Sequence, residues 1–89
     1  MKLSELTEVL IRSLVKDPDS VSVRQFDDEE DFITIEVLVN ESDMGAVIGR
    51  KGITAQSIRT IVQAAAYING EKKVRINICL LYTSDAADD

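Results

Sequence analysis

The run Phe32–Val39, FITIEVLV, places Ile33, Ile35, Val37 and Val39 on one side of an extended chain, at the period of two that defines a strand. A strand with one wholly aliphatic side must join a sheet whose apolar face is covered, and the rest of the chain has to supply the cover. Upstream, Val21 and Val23 alternate with Ser22 and Arg24 and predict an antiparallel partner strand. Between the two lies DDEED, Asp27 to Asp31. A charge run in that position reads first as a solvated hairpin tip and second as a repulsive lip that tells partners apart.

The cover is predicted to be helical. Leu3, Leu6, Leu10 and Leu14, widened by Val9 and Ile11, follow helical spacing, with Ser4 as N-cap and Asp17 before Pro18 as the stop. After Asn40, Ser42 or Asp43 can cap a short helix over Met44 to Ile48 that ends at Gly49. A longer helix starts at Gly52. Ile58, Ile61, Val62, Ala65 and Ile68 are expected on its buried face, Gln56, Arg59, Thr60 and Gln63 on the opposite one, with Asn69 and Gly70 closing it. Val74, Ile76 and Ile78 alternate as a last strand. The predicted fold is α+β in the order α-β-β-α-α-β, a two-layer arrangement with a three-stranded sheet and helices on one face, forming a single domain over residues 1–80.

Eighty-nine residues suit one small domain with about 60% of its extended surface buried and leave no room for two lobes around a cleft. With no His, a single Cys and no carboxylate pair beside a nucleophile, the residues offer no catalytic constellation, no metal set and no cofactor site, so an enzyme with a small-molecule substrate is not expected. No run approaches the roughly 20 apolar residues that a membrane span needs, and the N-terminus is amphipathic and acidic, unlike a signal peptide. A cytoplasmic protein without a membrane role is the expectation.

The net charge of −6 argues against a nucleic-acid partner until it is divided along the chain. Residues 1–43 carry 4 basic and 12 acidic side chains, a net of −8, whereas residues 44–80 carry 6 basic side chains and only Glu71, a net of +5. Exposed charges act over a Debye length of about 8–10 Å, so the local balance is what a ligand meets. Within the basic half stands VIGRKGITAQSI, Val47 to Ile58. Gly49, Arg50, Lys51 and Gly52 form a tight joint between two helices, where glycine permits a sharp turn and close backbone approach. The following helix N-terminus presents free N–H groups and the positive end of its dipole, suited to a phosphate. An ordinary helix-to-helix turn with exposed basic residues accounts for the spacing equally well. No dinucleotide fingerprint is present, and Gly52 stands where a P-loop needs Ser or Thr.

This stretch resembles the signature of KH domains, whose Ile-Gly-x-x-Gly loop joins two helices and clamps about four nucleotides of a single strand. The element order is similar to the bacterial type II arrangement. LVKDPDSVSV (Leu14 to Val23) and IRTIVQAAA (Ile58 to Ala66) resemble the small bacterial single-KH RNA-binding proteins of the KhpA kind, over roughly residues 1–78. The resemblance implies an RNA-binding protein acting on single-stranded RNA as a post-transcriptional regulator or RNA chaperone linked to cell elongation and division. It also implies a homodimer, or a heterodimer with a larger KH-containing, Jag-type partner.

Carried over by position, the resemblance makes Gly49 and Gly52 the glycines that shape the loop and Arg50 and Lys51 the pair that faces phosphate. Val47, Ile48 and Ile58 become residues that anchor the loop or floor the cleft, with Ile35 and Val37 as contributors from the strand, although aliphatics at such spacing also suit a core. Ile53, Gln56 and Arg59 complete the implied RNA-binding set. Relatives carry basic residues where this chain has Ile53, Gln56 and Gln63, so a thinner positive surface and weaker binding follow. Tyr67, the nearest aromatic, stands near the far end of the helix, where packing is the expected role. The isoleucine directly after the loop also supports a second function class, an interaction module that pairs through its central helices with RNA contact secondary. The closing run CLLYTSDAADD, Cys79 to Asp89, fits neither period and resembles read-through of a technical sequence. A disordered, foreign tail over residues 81–89 is expected, with no redox or metal role for Cys79.

Overall fold

The computed structural model describes residues 1–81, so all of the expected tail over residues 81–89 except Leu81 lies outside the described residues. Helix α1 (Leu3–Arg12) is followed by a 3-10 turn at Pro18–Ser20, strands β1 (Ser22–Phe26) and β2 (Phe32–Val39), and helix α2 (Glu41–Ile48). A second 3-10 turn at Arg50–Gly52 leads into helix α3 (Ile53–Ile68) and strand β3 (Lys73–Leu80). The order α-β-β-α-α-β and the α+β class are those expected. No described helix is long and apolar enough to cross a membrane.

The sheet runs β1-β2-β3. β1 pairs antiparallel with β2, Val23 facing Val37, and β3 pairs parallel with β2, Ile76 facing Ile35. β2 is the central strand, and of the three it alone has one side wholly buried: Ile33, Ile35, Val37 and Val39 are buried, while their neighbours are half-buried. Leu3 and Ile11 of α1, Val47 of α2, and Ile58, Val62 and Ala66 of α3 join them in one core cluster, so the helices cover that side of the sheet. Thr7, also buried, donates its hydroxyl to the Leu3 carbonyl at 2.8 Å and needs no outside partner.

The helix ends differ from the expected ones for tertiary reasons. Lys2 rather than Ser4 is the N-cap of α1, since Leu3 is already in the core and the Lys2 N–H donates to Glu5 Oε1 at 3.1 Å. It stops at Arg12, well before Asp17. Beyond it the Lys16 and Asp17 N–H groups donate to the two Asp43 carboxylate oxygens at 3.0 and 3.2 Å, which draws the chain off the helix axis. Asn40, not Ser42 or Asp43, caps α2, its Oδ1 accepting the Asp43 N–H at 3.0 Å. On α3 the buried face is Ala55, Ile58, Val62 and Ala66. Ile61 and Ile68, expected inside, are exposed, because the helix packs against α1 and β3 along a line rotated away from them. Cys79 and Leu80 extend β3 in register with Leu38 and Val39, and the Leu81 N–H donates to the Val39 carbonyl at 2.6 Å.

Candidate nucleic-acid interface

The joint between α2 and α3 has an unusual backbone. Gly49 closes α2 with φ 78°, ψ 174°, its N–H donating to the Gly45 carbonyl at 2.9 Å. Gly52 has φ 78°, ψ 11° and serves as the N-cap of α3 without any side-chain cap. Lys51 between them also sits in the left-handed region, at φ 56°, ψ 25°, the one non-glycine among the described residues to do so. That conformation costs an ordinary residue about 1–2 kcal/mol. A strained backbone of this kind, kept at a position that presents a charge, is characteristic of ligand sites.

Arg50, Lys51 and Arg59 are exposed, and none of them enters an ion pair among the described residues. Two full positive charges therefore stand just before a 16-residue helix that no side chain caps among the described residues, although its first N–H, that of Ile53, donates to the Arg50 carbonyl. Such a terminus carries roughly half a positive charge of its own.

A groove of about 860 Å³ begins at Gln56, four residues past Gly52, and runs along α3 toward the start of β3. Gln56, Arg59 and Thr60 line its near end, Tyr67, Glu71 and Lys73 its far end. The Val74 N–H, on the outer edge of β3, donates to Gln63 Oε1 at 2.9 Å and ties the strand to the helix across the groove floor. The groove thus offers two cations and one carboxylate, amide and hydroxyl groups and one exposed aromatic ring over a largely apolar lining that includes Ala64, Ile68 and Val74, suited to planar bases with few phosphate contacts.

The sequence-derived residues divide between surface and core. Gly49, Arg50, Lys51, Gly52, Ile53, Gln56 and Arg59 lie together on the surface at the loop and the first turns of α3. Ile48 is half-buried, and Val47 is fully buried beneath the loop, so that its part is to anchor. Ile35, Val37 and Ile58 are core residues and floor no groove: they point into the helix–sheet layer, as their period already allowed. Tyr67, expected to pack, is exposed instead, and Lys73 carries no sequence signal as a site residue. Both come to the groove only because the end of α3 packs beside the start of β3.

The family profile described as KhpA/KhpB, KH domain, matches residues 4–78. The RNA-binding protein KhpA of Clostridium perfringens is 45% identical over 76 residues, covering 85% of this chain and 99% of that protein. Among solved structures, a single-residue variant of Aquifex aeolicus Era bound to GDP·AlF4⁻ superposes with a TM-score of 0.68 over 89% of this chain and 30% of that one, at 19% identity. Era in complex with MgGDPNP and nucleotides 1506–1542 of 16S ribosomal RNA superposes with a TM-score of 0.58 over 88% of this chain and 29% of that one, at 20% identity.

Proposed function

The chain belongs to the KhpA/KhpB KH-domain family, and from that premise we propose that it binds single-stranded RNA with the Gly49–Gly52 loop. The observation that carries the reading is the placement of Arg50 and Lys51, exposed and outside any ion pair among the described residues, on a glycine-bounded turn at the start of α3, where no described side chain caps the helix. Phosphates dock on the loop and the helix terminus. The bases of the same strand then lie along the groove, where Gln56, Thr60 and Gln63 offer hydrogen bonds. One domain over residues 1–80 is the binding unit, and the relatives named for RNA binding support this use of it.

Replacing both Arg50 and Lys51 with Asp should weaken single-stranded RNA binding by about tenfold or more, since two phosphate contacts become two repulsions. The fold should survive, because neither side chain packs. Affinity that stays unchanged in a fluorescence titration, with a native circular dichroism spectrum, would sink the loop assignment. The cellular role we attach to the binding is that of a cytoplasmic post-transcriptional regulator or RNA chaperone connected with elongation and division. An allele with the same two changes should then reproduce the cell-length phenotype of a deletion.

A second reading has its own observation. The outward side of α3 exposes Ile53, Ile61, Tyr67 and Ile68, with Tyr67 82% and Ile68 80% accessible. That is an apolar stripe on a helix that should otherwise be polar there. Pairing through it, with a second copy or with a larger KH-containing protein, is the interaction role we set beside RNA binding. Ile53 is 61% exposed and stands one residue past the loop. Ile53→Arg should loosen self-association in sedimentation equilibrium and at the same time tighten RNA binding a few-fold, through one added phosphate contact. Unaltered assembly would remove Ile53 from the interface.

A further inference from the structure

Lys72 and Arg75 belong to the basic half of the chain, yet both are already engaged. Lys72 is ion-paired with Asp27, and its Nζ donates to the Glu29 carbonyl oxygen at 2.7 Å. Arg75 Nη1 lies 3.7 Å from Glu29 Oε1, and its guanidinium stacks 4.3 Å from the centroid of the Phe32 ring. The hairpin tip Asp27–Asp31 is therefore folded against the start of β3. It is exposed, as the charge run suggests, but two of its five carboxylates are engaged rather than free.

This contact falls at one end of the groove. Lys72 stands between Glu71 and Lys73, both of which line the groove, so the hairpin meets it at the end away from the Gly49–Gly52 loop. From Gln56 to Ile68 the groove follows about 18 Å of helix at ~1.5 Å per residue. That accommodates about the four nucleotides that a KH cleft holds. A phosphate backbone that left the groove past Lys73 and turned around the β3 edge onto the outer face of the sheet, where Arg75 lies over Phe32, would have to take Lys72 and Arg75 from Asp27 and Glu29. It would do so within a Debye length of Asp28, Glu30 and Asp31 as well. Each exposed ion pair is weak, but five carboxylates on one turn act on the same short stretch of a polyanion.

We infer that the β1–β2 hairpin is an internal competitor for phosphate, which occupies Lys72 and Arg75 and ends the RNA footprint at Lys73. The inference rests on the RNA-binding reading above and adds to it a determinant of how long a strand the protein engages. Nothing covalent is involved. Carboxylates stand where the next phosphates would otherwise sit.

The test uses the full chain with Asp27→Asn, Asp28→Asn, Glu29→Gln, Glu30→Gln and Asp31→Asn combined, changes of nearly constant shape on an exposed turn. Single-stranded RNAs of mixed sequence, from about 4 to about 12 nucleotides, are titrated at several salt concentrations. The unaltered protein should reach its plateau affinity near the short end. The neutralised hairpin should bind the longest strands about tenfold tighter, leave the shortest nearly unchanged, and steepen the slope of log affinity against log salt by about 1.4, at ~0.7 for each of two new contacts. Adding Lys72→Ala and Arg75→Ala to the neutralised chain should erase that increase, whereas the same pair in the unaltered protein should change affinity by less than about twofold.

An increase equal at all lengths, no increase, or an increase that survives loss of Lys72 and Arg75 would overturn the inference. If the neutralised hairpin failed to fold, the Lys72→Ala, Arg75→Ala chain alone would still decide. A drop of about tenfold there would mean that these cations already hold phosphate. The Arg50→Asp, Lys51→Asp chain run in parallel separates the two readings: binding indifferent to it removes the loop assignment, whatever the hairpin does.

Discussion

Gly49→Ala should lower the stability of the domain by about 3 kcal/mol and abolish the loop's binding geometry. Two independent costs meet at this residue. Its backbone, φ 78° and ψ 174°, lies in a region that only glycine occupies readily, and other residues pay about 1–3 kcal/mol there. A Cβ at this position would also stand 2.8 Å from the Thr54 backbone nitrogen, as well as against the Thr54 side chain. A flexible side chain could move aside. The backbone of Thr54 cannot, because Ala55 immediately after it and Ile58 one turn further on are locked in the core. The first turn of α3 and the loop must shift instead, and with them the charges of Arg50 and Lys51.

Gly52 provides the contrast. Its φ is also 78°, but with ψ 11° it lies in the ordinary left-handed well, and a Cβ there meets nothing within 4 Å. Gly52→Ala should cost about 1–2 kcal/mol and Gly52→Asn less, since Asn tolerates that well. Urea denaturation of the three variants checks the order. A loss of about 3 kcal/mol corresponds to roughly 12 °C or more in Tm for a domain of this size, so the ranking is readable by heat as well. Equal losses for Gly49→Ala and Gly52→Ala would refute the steric argument.

Asp43→Ala should cost about 2–4 kcal/mol, through backbone groups that take no part in the loop. The carboxylate is 2% exposed and accepts the backbone N–H groups of Lys16 and Asp17. Hydrogen bonds to a charged group contribute about 1.5–3 kcal/mol each, and the orphaned donors would carry a further desolvation cost that entering water offsets in part. Asp43→Asn retains one acceptor but turns an NH2 group toward the second donor, so it should be destabilised as well, though less. Hydrogen exchange gives the local signature: the amides of Lys16 and Asp17 should lose protection first. Continued protection of both in the Ala variant would mean that another group holds the segment between α1 and β1.

Asp43 shows where reading from sequence stops. A carboxylate near the start of a short helix has a local use as an N-cap, and spacing alone assigns that use. In the fold Asn40 takes the cap, while Asp43 reaches two amides 26 and 27 residues away in the chain. The same limit applies to α3. Its apolar positions define two overlapping stripes, and only the line of contact with α1 and β3 selects Ala55, Ile58, Val62 and Ala66 over one containing Ile61 and Ile68.

What the chain determined by itself was the kind and order of its elements and the place of the loop. These depend on short-range physics: the period-two run Ile33, Ile35, Val37, Val39 suits only a half-covered strand, and two glycines around Arg50 and Lys51 permit the positive φ angles of the joint. What the tertiary structure alone decided was which of several apolar residues became core and which polar ones became site. Ile35 and Val37 went inside, Tyr67 and Lys73 came to the groove, and Asp27 and Glu29 settled on Lys72 and Arg75. Each of those outcomes depends on a contact between residues distant in sequence. A hydrophobic or charged side chain is compatible with many such partners until packing leaves it one.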